Sequence, residues 1–400
     1  MARKSTRKKY KVIDMITKKK LPQKPLPRFN VAEEIPIKVR RSLSRRRSNA
    51  PIGAIPIGPS PLVMLSPLYR RDIDTKYIDQ IFMSKIEIGR GSFGNVYQVM
   101  SRDDSRQYAV KVTNDKRSVV HRGEVLRMLK FPTHKHCIQF FNGWEEDCRV
   151  HIQMELCKIN FETYLDVYHA LPEHLAWEIF VDIALGLQHL HNNQLIHLDI
   201  KPSNIMITES GVCKLGDFGL LVDTRDLIDG KFLNDDGSEG DSKYVALEVL
   251  CEETYTMAAD IFSFGLLMME TLSDVALPKS GPTWELLRNG VEPHCYRRRR
   301  LSLSLRSLIR KMIQKSYEKR PKIDEVLKNY LAVRTMKRRN DGKGLNIMSA
   351  WNEDYPAYIA TLPHPDEAVP VIEYPSPVAQ MLAAEIINSP NSQIRWPDVQ

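Results

Sequence analysis

The sequence predicts an α+β fold of two lobes, a β-rich N-lobe and a helical C-lobe, with disordered tails at both ends. Between residues 85 and 156, apolar and polar residues alternate in short runs with interspersed glycines, as strands and tight turns require. From about Leu171 the apolar residues recur at helical spacing instead. We therefore expect a folded body at 73–335, divided into an N-lobe at about 73–155 and a C-lobe at about 158–335.

Two polar, proline-bearing tails are expected, a basic one at 1–72 and another at 336–400. Residues 1–50 carry 17 Lys and Arg against three acidic residues, a net charge of +14 in a chain whose total is +9. The basic charge therefore belongs to the tail. Such a tail suits a nuclear import receptor, an acidic partner or peripheral contact with a membrane surface. Aromatic residues do not alternate with its basic clusters, so structured nucleic-acid binding is not expected.

Neither a transmembrane segment nor a disulfide framework is predicted. The longest uncharged run, residues 50–69, holds five prolines, and each proline costs a helix interior about 3 kcal/mol. The six cysteines show no Cys-x-x-Cys pair, and we find no signal peptide. We therefore expect a monomer in the nucleus and/or the cytoplasm.

Strands dominate the predicted N-lobe and helices the predicted C-lobe. Lys85–Val99 predicts two strands joined by a tight turn, and Gln107–Thr113 and Val150–Leu156 predict one strand each. A helix is predicted at Ser118–Lys130. In the C-lobe, apolar spacing predicts helices at Leu175–Asn192, Met257–Leu272, Thr283–Arg288, Ser304–Gln314 and Ile323–Leu331.

A glycine-rich loop joins the first two strands, with the sequence Ile88-Gly89-Arg90-Gly91-Ser92-Phe93-Gly94-Asn95-Val96. Glycines let a backbone close over phosphate groups, where a Cβ would collide. By itself the pattern also fits a dinucleotide-binding turn or an ordinary hairpin. Its place between two strands argues against the dinucleotide fold, in which a helix follows the loop. We expect residues 88–94 and Val96 to contact a nucleotide.

A lysine on the next strand is the expected partner of the nucleotide's α- and β-phosphates. It is Lys111, in Tyr108-Ala109-Val110-Lys111-Val112, and Glu124 on the following predicted helix is its expected ion-pair partner. Glu145 and Glu146 are weaker candidates because they lie in a polar stretch outside that helix. A solvated lysine and a helix-surface glutamate are the plainer alternatives.

A nucleobase site is predicted where an apolar strand ends in Met154-Glu155-Leu156-Cys157. Met154 would lie behind the adenine, and the hinge from Glu155 to Cys157 would offer backbone hydrogen bonds. Three side chains are expected to pack on the two faces of the ring, namely Val96, Ala109 and Met206. Ordinary core packing would suit the same residues equally well.

The strongest pattern is His197-Leu198-Asp199-Ile200-Lys201-Pro202-Ser203-Asn204, followed thirteen residues later by Asp217-Phe218-Gly219. Phosphoryl transfer needs a carboxylate that accepts or orients a hydroxyl proton, a cation near the γ-phosphate and oxygen ligands for magnesium. We assign these roles to Asp199, to Lys201 and to the pair Asn204 and Asp217. With Lys111 and Glu124 they form the predicted catalytic set, and the cofactors are ATP and Mg²⁺.

Two further positions are expected to support this site. Asp260 should hold the backbone of the catalytic loop from the helix beneath it. Glu248, in Tyr244-Val245-Ala246-Leu247-Glu248, should pair with Arg320. Leu247 stands where this type of segment usually has proline.

Residues from about 80 to 333 resemble a eukaryotic protein kinase, which implies the bilobal protein kinase fold. The catalytic loop with Leu198 is similar to that of the Wee family, and most similar to its membrane-associated tyrosine- and threonine-specific Myt branch. Further segments that agree with this branch are Trp144-Glu145-Glu146, Met154-Glu155-Leu156-Cys157, Lys214 through Val222, Gly240 through Tyr244, and Leu277 through Trp284.

The resemblance implies a substrate: the adjacent threonine and tyrosine in the phosphate loop of the mitotic cyclin-dependent kinase, in complex with its cyclin. Their phosphorylation inhibits that kinase and delays entry into M phase. The residues alone predict only hydroxyl phosphorylation, and Lys201 favours serine or threonine. The alternatives are an active Ser/Thr kinase with other substrates and a pseudokinase that serves as a binding module.

Two departures from the usual kinase pattern bear on localisation and regulation. Myt kinases carry a membrane anchor after the kinase domain, and residues 334–400 hold no candidate, so peripheral association with Golgi or endoplasmic reticulum membrane is the alternative location. Most kinases have arginine where Leu198 stands, and a phosphate on the activation segment neutralises it. Because leucine has no charge, we expect activity that does not depend on that phosphate; the acidic residues Asp235, Asp236, Glu239 and Asp241 agree.

Overall fold

The computed structural model describes residues 53–58, 64–90, 94–113, 118–129, 132–169, 171–227, 240–296 and 301–349, together with 351 and 354. The N-lobe elements are β1 (Ile55–Pro56), α1 (Tyr77–Ile81), β2 (Phe82–Arg90), β3 (Gly94–Ser101), β4 (Gln107–Thr113), α2 (Ser118–Met128), β5 (Phe140–Glu146) and β6 (Arg149–Glu155). The C-lobe elements are β7 (Ile159–Asn160), α3 (Phe161–Val167), α4 (Glu173–Asn192), β8 (Leu195–Ile196), β9 (Ile205–Ile207), β10 (Cys213–Leu215), β11 (Val222–Asp223), α5 (Leu247–Glu252), α6 (Met257–Ser273), α7 (Pro282–Arg288), α8 (Leu303–Met312), α9 (Ile323–Leu327) and α10 (Tyr330–Asn340). The predicted α+β fold with a β-rich N-lobe and a helical C-lobe is confirmed.

The N-lobe is built on an antiparallel sheet in which the described strands follow the order β1-β5-β6-β4-β3-β2. Its register places Val96 opposite Lys111 and Ala109 opposite Met154. Paired residues share a face of the sheet, and so do residues two apart on one strand. These four side chains therefore lie on one face of the sheet.

The C-lobe is organised around two buried helices, α4 and α6. Their apolar faces meet through Phe180 and Phe264, whose ring centroids are 4.7 Å apart. Two short strand pairs, β9 with β10 and β8 with β11, lie next to them. The catalytic loop runs from β8 to β9, and Asp217 follows β10, so the strand pairs bring these two loops together.

Most predicted elements match the structure within two residues at each end, but Ile323–Leu331 is not one helix. The chain forms α9, breaks at residues 328–329 and resumes as α10. Asn329 causes the break, because its side chain accepts a hydrogen bond from the backbone N–H of Leu331 at 3.0 Å and caps the new helix.

The folded body begins before the predicted boundary at residue 73. β1 pairs with β5, and Ala54 and Ile57 beside it are buried. The hydroxyl of Tyr69 accepts the backbone N–H of Ala54 at 3.0 Å, and that of Tyr77 accepts the N–H of Ser66 at 3.0 Å. The apolar residues in this proline-bearing stretch thus gain a sheet edge to pack on, which local sequence does not reveal. The rest of the predicted tail, residues 1–52 and 59–63, lies outside the described residues.

The body also continues beyond the predicted boundary at residue 335. α10 extends to Asn340, and Arg339 on it donates to Asp182 of α4 at 2.6 Å. Farther on, Ile347 and Trp351 are buried against the C-lobe. The basic residues at 337–339 predict a solvated tail. In the structure, the buried carboxylates of Glu178 and Asp182 on α4 pair with Arg338 and Arg339. Of the predicted C-terminal tail, residues 350, 352, 353 and 355–400 lie outside the described residues.

Candidate active site

Lys111 and Glu124 form the predicted ion pair. Nζ of Lys111 lies 3.0 Å from Oε1 of Glu124 and 2.8 Å from Oδ1 of Asp217, and the lysine and glutamate are both buried. Burial acts to lower the pKa of Lys111, but the two carboxylates raise it well above its ordinary value. The lysine therefore stays protonated, as a partner of phosphate oxygens must.

The rival carboxylates have other partners. Glu145 pairs with Arg122, and Glu146 accepts the backbone N–H of Tyr77 at 2.7 Å. Glu124 is the partner of Lys111 because it is buried on the face of α2 that turns toward the sheet.

Asp260 holds the catalytic loop from beneath, as predicted. Its carboxylate is fully buried and accepts the backbone N–H groups of His197 at 2.9 Å and of Leu198 at 2.8 Å. His191 Nε2 lies 2.9 Å from the same carboxylate. These bonds stabilise Leu198 at φ +63°, a conformation that leucine rarely adopts.

Asp199 lies buried at the centre of the predicted catalytic set. Its Oδ2 accepts hydrogen bonds from Nζ of Lys201 at 2.9 Å and from Nδ2 of Asn204 at 2.7 Å. Both donors fix the orientation of the carboxylate. An oriented carboxylate can accept the proton of an incoming hydroxyl.

Asn204 and Asp217 offer oxygen ligands of the type that magnesium prefers. The amide nitrogen of Asn204 donates to the backbone oxygen of Asp199 at 2.9 Å, which leaves the amide oxygen as the ligand atom. Burial acts to raise the pKa of Asp217, but Lys111 lowers it, so the carboxylate is ionised. Within the described residues, no group of three or more His, Cys, Asp or Glu could hold a metal. A pair of oxygen ligands completed by phosphate oxygens and water is the usual arrangement for Mg²⁺.

The predicted nucleobase contacts come from both lobes, since Val96, Ala109 and Met154 lie on N-lobe strands and Met206 lies on β9. Ala109 is buried, while Val96, Met154 and Met206 are partly exposed, as residues that contact a ligand would be. A Cβ on Gly216 would lie 3.3 Å from Met206, so the backbone before Asp217 passes close to this side chain.

The hinge is anchored at its first residue, Glu155. The backbone N–H of Glu155 donates to the carbonyl of Gln139 at 2.9 Å, and its side chain pairs with Lys214 at 2.7 Å. Cys157 lies two residues on and is partly buried, and burial raises the pKa of its thiol to about 12. The thiol is therefore neutral at physiological pH and leaves the backbone groups as the polar contacts here.

Two glycines of the glycine-rich loop differ in the space around them. A Cβ on Gly94 would lie 2.4 Å from the carbonyl oxygen of Val112, so any other residue at this position would disturb the pairing of β3 with β4. A Cβ on Gly89 would meet only Val96, at an ordinary 3.8 Å. Ile88 is about half exposed, and Arg90 pairs with Glu87 at 3.0 Å. The predicted nucleotide contacts Gly91, Ser92 and Phe93 lie outside the described residues.

The activation segment ends on a buried ion pair. Arg320 Nη2 donates to Oε2 of Glu248 at 2.9 Å, which confirms that prediction. Leu247 is the first residue of α5, where proline is favoured but not required. The departure from proline therefore leaves the helix start intact. Of the acidic residues predicted in this segment, Asp241 is described and the others lie outside the described residues.

Two contacts at this site were missed by sequence reasoning. Arg127 Nη2 donates to the carbonyl of Gly219 at 3.0 Å and so joins α2 to the loop that carries Asp217. Its position three residues after Glu124 on one helix could have revealed it. Gly240 lies against the carbonyl of Leu198, where a Cβ would be 2.6 Å from the oxygen. No local pattern distinguishes that glycine.

A family model described as the protein kinase domain matches residues 82–331, more than half of the chain. The chain belongs to the protein kinase family. Several curated relatives of this kinase share a narrower description. The membrane-associated tyrosine- and threonine-specific cdc2-inhibitory kinase wee-1.3 of Caenorhabditis briggsae is 40% identical over 330 residues, which cover 82% of this chain and 48% of the relative.

Similar kinases occur in other organisms. The membrane-associated tyrosine- and threonine-specific cdc2-inhibitory kinase of Drosophila melanogaster is 36% identical over 283 residues, 69% of this chain and 52% of the relative. The mitosis inhibitor protein kinase wee1 of Schizosaccharomyces pombe is 33% identical over 228 residues, 54% of this chain and 25% of the relative. The kinase spans about half the length of the first curated relatives it matches. In the part of the chain that the structure describes, no helix is long and apolar enough to cross a bilayer.

Proposed function

We propose that this kinase phosphorylates the adjacent threonine and tyrosine in the phosphate loop of the mitotic cyclin-dependent kinase, inhibits it and delays entry into M phase. The observation that carries the proposal is the assembled site: Lys111 paired with Glu124 and Asp217, beside an Asp199 oriented by Lys201 and Asn204. The likeness to kinases named cdc2-inhibitory supports the choice of substrate.

The proposed roles follow from the geometry of the cleft. Lys111 binds the α- and β-phosphates, and Glu124 holds it in place. Asp199 accepts or orients the hydroxyl proton of the substrate, and Lys201 stabilises charge that develops toward the γ-phosphate. Asn204 and Asp217 hold Mg²⁺, which offsets the charge on the phosphates when it is bound with ATP.

The remaining contacts position the nucleotide. The base packs between Val96 and Ala109 on one side and Met206 on the other, with Met154 behind it and Glu155 and Cys157 providing hinge hydrogen bonds. The glycine-rich loop, Ile88, Gly89, Arg90, Gly91, Ser92, Phe93 and Gly94, covers the phosphates.

A single assay tests the proposal. The kinase is incubated with a cyclin-dependent kinase–cyclin complex and labelled ATP, and the phosphorylated residues are mapped by mass spectrometry. We expect label on the phosphate-loop threonine or tyrosine, and loss of the partner's activity. A general base contributes about 100-fold or more to the rate, so Asp199→Asn should lower the rate of phosphoryl transfer by at least that factor. Lys111→Ala should abolish phosphoryl transfer. Lys85→Ala, which removes an exposed lysine on β2, is the matched control.

The same assay separates the alternatives. Label on other serines or threonines would support a Ser/Thr kinase with different substrates, a possibility that Lys201 favours. Nucleotide binding without transfer would support a pseudokinase, although the ion pairs of Lys111 with Glu124 and Asp217 speak against it. Failure to bind ATP with magnesium would contradict the whole proposal.

For location, we propose the nucleus and/or the cytoplasm, with peripheral association with Golgi or endoplasmic reticulum membrane as the alternative. The basic cluster at 1–50 supports both import and contact with an acidic membrane surface. Fractionation of cells that express the tagged chain distinguishes them: high-salt release from a membrane pellet would favour the peripheral membrane location.

A further inference from the structure

The stretch 242–245, at the end of the activation segment, is held from beneath by side chains of α7. Trp284 Nε1 donates to the carbonyl of Ser242 at 2.8 Å. Arg288 Nη2 donates to the same carbonyl at 2.9 Å and to the carbonyl of Val245 at 3.1 Å. One helix therefore fixes both ends of a four-residue stretch through its backbone oxygens.

The middle of the stretch is fixed as well. Ser263 Oγ donates to the carbonyl of Tyr244 at 2.9 Å, and the Tyr244 hydroxyl binds Glu270. Asp241 closes the turn, because its carboxylate accepts the backbone N–H of Lys243 at 2.9 Å. The side-chain contacts to this stretch therefore come from the uncharged donors Trp284 and Ser263, from the carboxylates of Asp241 and Glu270, and from Arg288.

Arg288 is an unusual buried cation. It is 1% exposed, and its guanidinium carbon lies 4.4 Å from the centre of the Trp284 ring and 5.7 Å from that of Phe262. In the part of the chain that the structure describes, its Nε and Nη1 have no hydrogen-bond partner. Burial lowers its pKa to about 10. Arg320, by contrast, is buried but paired with Glu248.

A buried cation with unpaired donors destabilises the folded state. We therefore expect the hydrogen bonds that Arg288 does form to have a specific role. The chain just before this stretch lies against the catalytic loop. Gly240 packs against the carbonyl of Leu198, and a Cβ there would lie 3.9 Å from Oδ1 of Asp199. Ser242 follows two residues later, within about 7 Å along the chain. The stretch therefore begins two residues after a glycine that lies beside the Asp199 carboxylate.

We propose that Trp284 and Arg288 are positioning residues that hold the 242–245 stretch in place to receive the acceptor segment of the protein substrate. Leu198 offers no cation to a phosphate on the activation segment, and side chains of α7 hold this stretch through its backbone carbonyls. The inference rests on the proposed kinase activity, but not on the identity of the protein substrate.

The test compares Trp284→Phe, which keeps the ring and removes the N–H donor, with Arg288→Met and Arg288→Lys. We expect the KM for the protein acceptor to rise about fivefold or more in Trp284→Phe and further in Arg288→Met, while the KM for ATP stays within about twofold. Arg288→Lys should recover part of the loss because it keeps one charged donor. Glu285→Gln, on the exposed side of the same helix, is the matched control.

Hydrogen exchange provides a readout that needs no substrate. Peptides covering 240–247 should exchange faster in Trp284→Phe, while peptides covering 190–205 keep their protection. Unchanged exchange and an unchanged acceptor KM in a folded variant would overturn the inference, and so would an equal rise in both KM values. If the cyclin-dependent kinase is not the substrate, a generic acceptor protein gives the same comparison, so the two failures can be told apart.

Discussion

At the scale of single residues, Leu198 illustrates how one substitution changes what the rest of the site must do. Its backbone is held at positive φ by Asp260, while its side chain packs against the hydrophobic core. A cation at this position would need a counter-charge from the activation segment. Leucine removes that need, and contacts such as those from Arg288 to the carbonyls of Ser242 and Val245 supply the order instead.

Removal of phosphate from the protein should therefore leave its turnover within about twofold of the untreated value. The physical reason is that the catalytic loop presents no arginine that a phosphate would neutralise. The measurement is acceptor phosphorylation before and after treatment with a phosphatase, with mass spectrometry to verify dephosphorylation. Loss of turnover after complete dephosphorylation would show that another cation, outside the catalytic loop, binds an essential phosphate.

At the scale of secondary-structure elements, the N-lobe sheet buries a polar ring within an aromatic cluster. His151 on β6 is paired with Trp144 on β5, and their rings stack at 5.0 Å. Burial lowers the pKa of His151 to about 4. The unfolded histidine has an ordinary pKa of about 6.5, so it binds protons at a pH where the folded one does not. The sheet therefore requires a neutral imidazole here.

The free energy of unfolding should fall as the pH drops from about 6.5 through 4, and His151 alone should account for about 3 kcal/mol of the loss. His134 and His136 also have lowered pKa values and add to the loss. His151→Phe keeps the stacked ring and removes the proton, so urea unfolding at pH 7 and pH 5 should show a smaller loss in this variant. An identical loss in both proteins would mean that His151 is not the source.

At the scale of the whole molecule, segments from both ends of the described chain complete the fold. Near the C-terminal end, Trp351 stacks on Tyr164 with ring centroids 6.0 Å apart. The hydroxyl of Tyr164 donates to the carbonyl of Ile347 at 2.9 Å, and that of Tyr168 donates to Asp354 at 2.7 Å. The segment thereby covers α3, the helix that follows the hinge.

Trp351→Ala should lower the free energy of unfolding by about 3–5 kcal/mol, because it empties a buried aromatic site. Tyr330→Ala is the control, since Tyr330 is 71% exposed and its removal should change stability by about 0.5 kcal/mol or less. Urea unfolding of the purified chain gives both values. A near-neutral Trp351→Ala would show that this segment does not contribute to the stability of the C-lobe.

The order of the two lobes, most helix and strand bounds and the candidate site residues could be predicted from the amino-acid sequence. It could do so because periodicity is local and because the chemistry of phosphoryl transfer limits which residues can stand in the catalytic loop and before Phe218-Gly219. Even the ion pair between Lys111 and Glu124 followed from the order of a strand and a helix, and the structure shows it at 3.0 Å.

Which distant groups meet is visible only in the folded chain. Asp217 contacts Lys111 across 106 residues, and Gly240 packs on Leu198. The segment before residue 73 pairs with β5, and the segment after residue 335 contacts α4. Arg288 is the clearest case, because a basic residue at a helix end predicts a solvated side chain. Burial and hydrogen bonding depend on the surfaces that folding brings together, and the spacing of residues along the chain does not predict which surfaces meet.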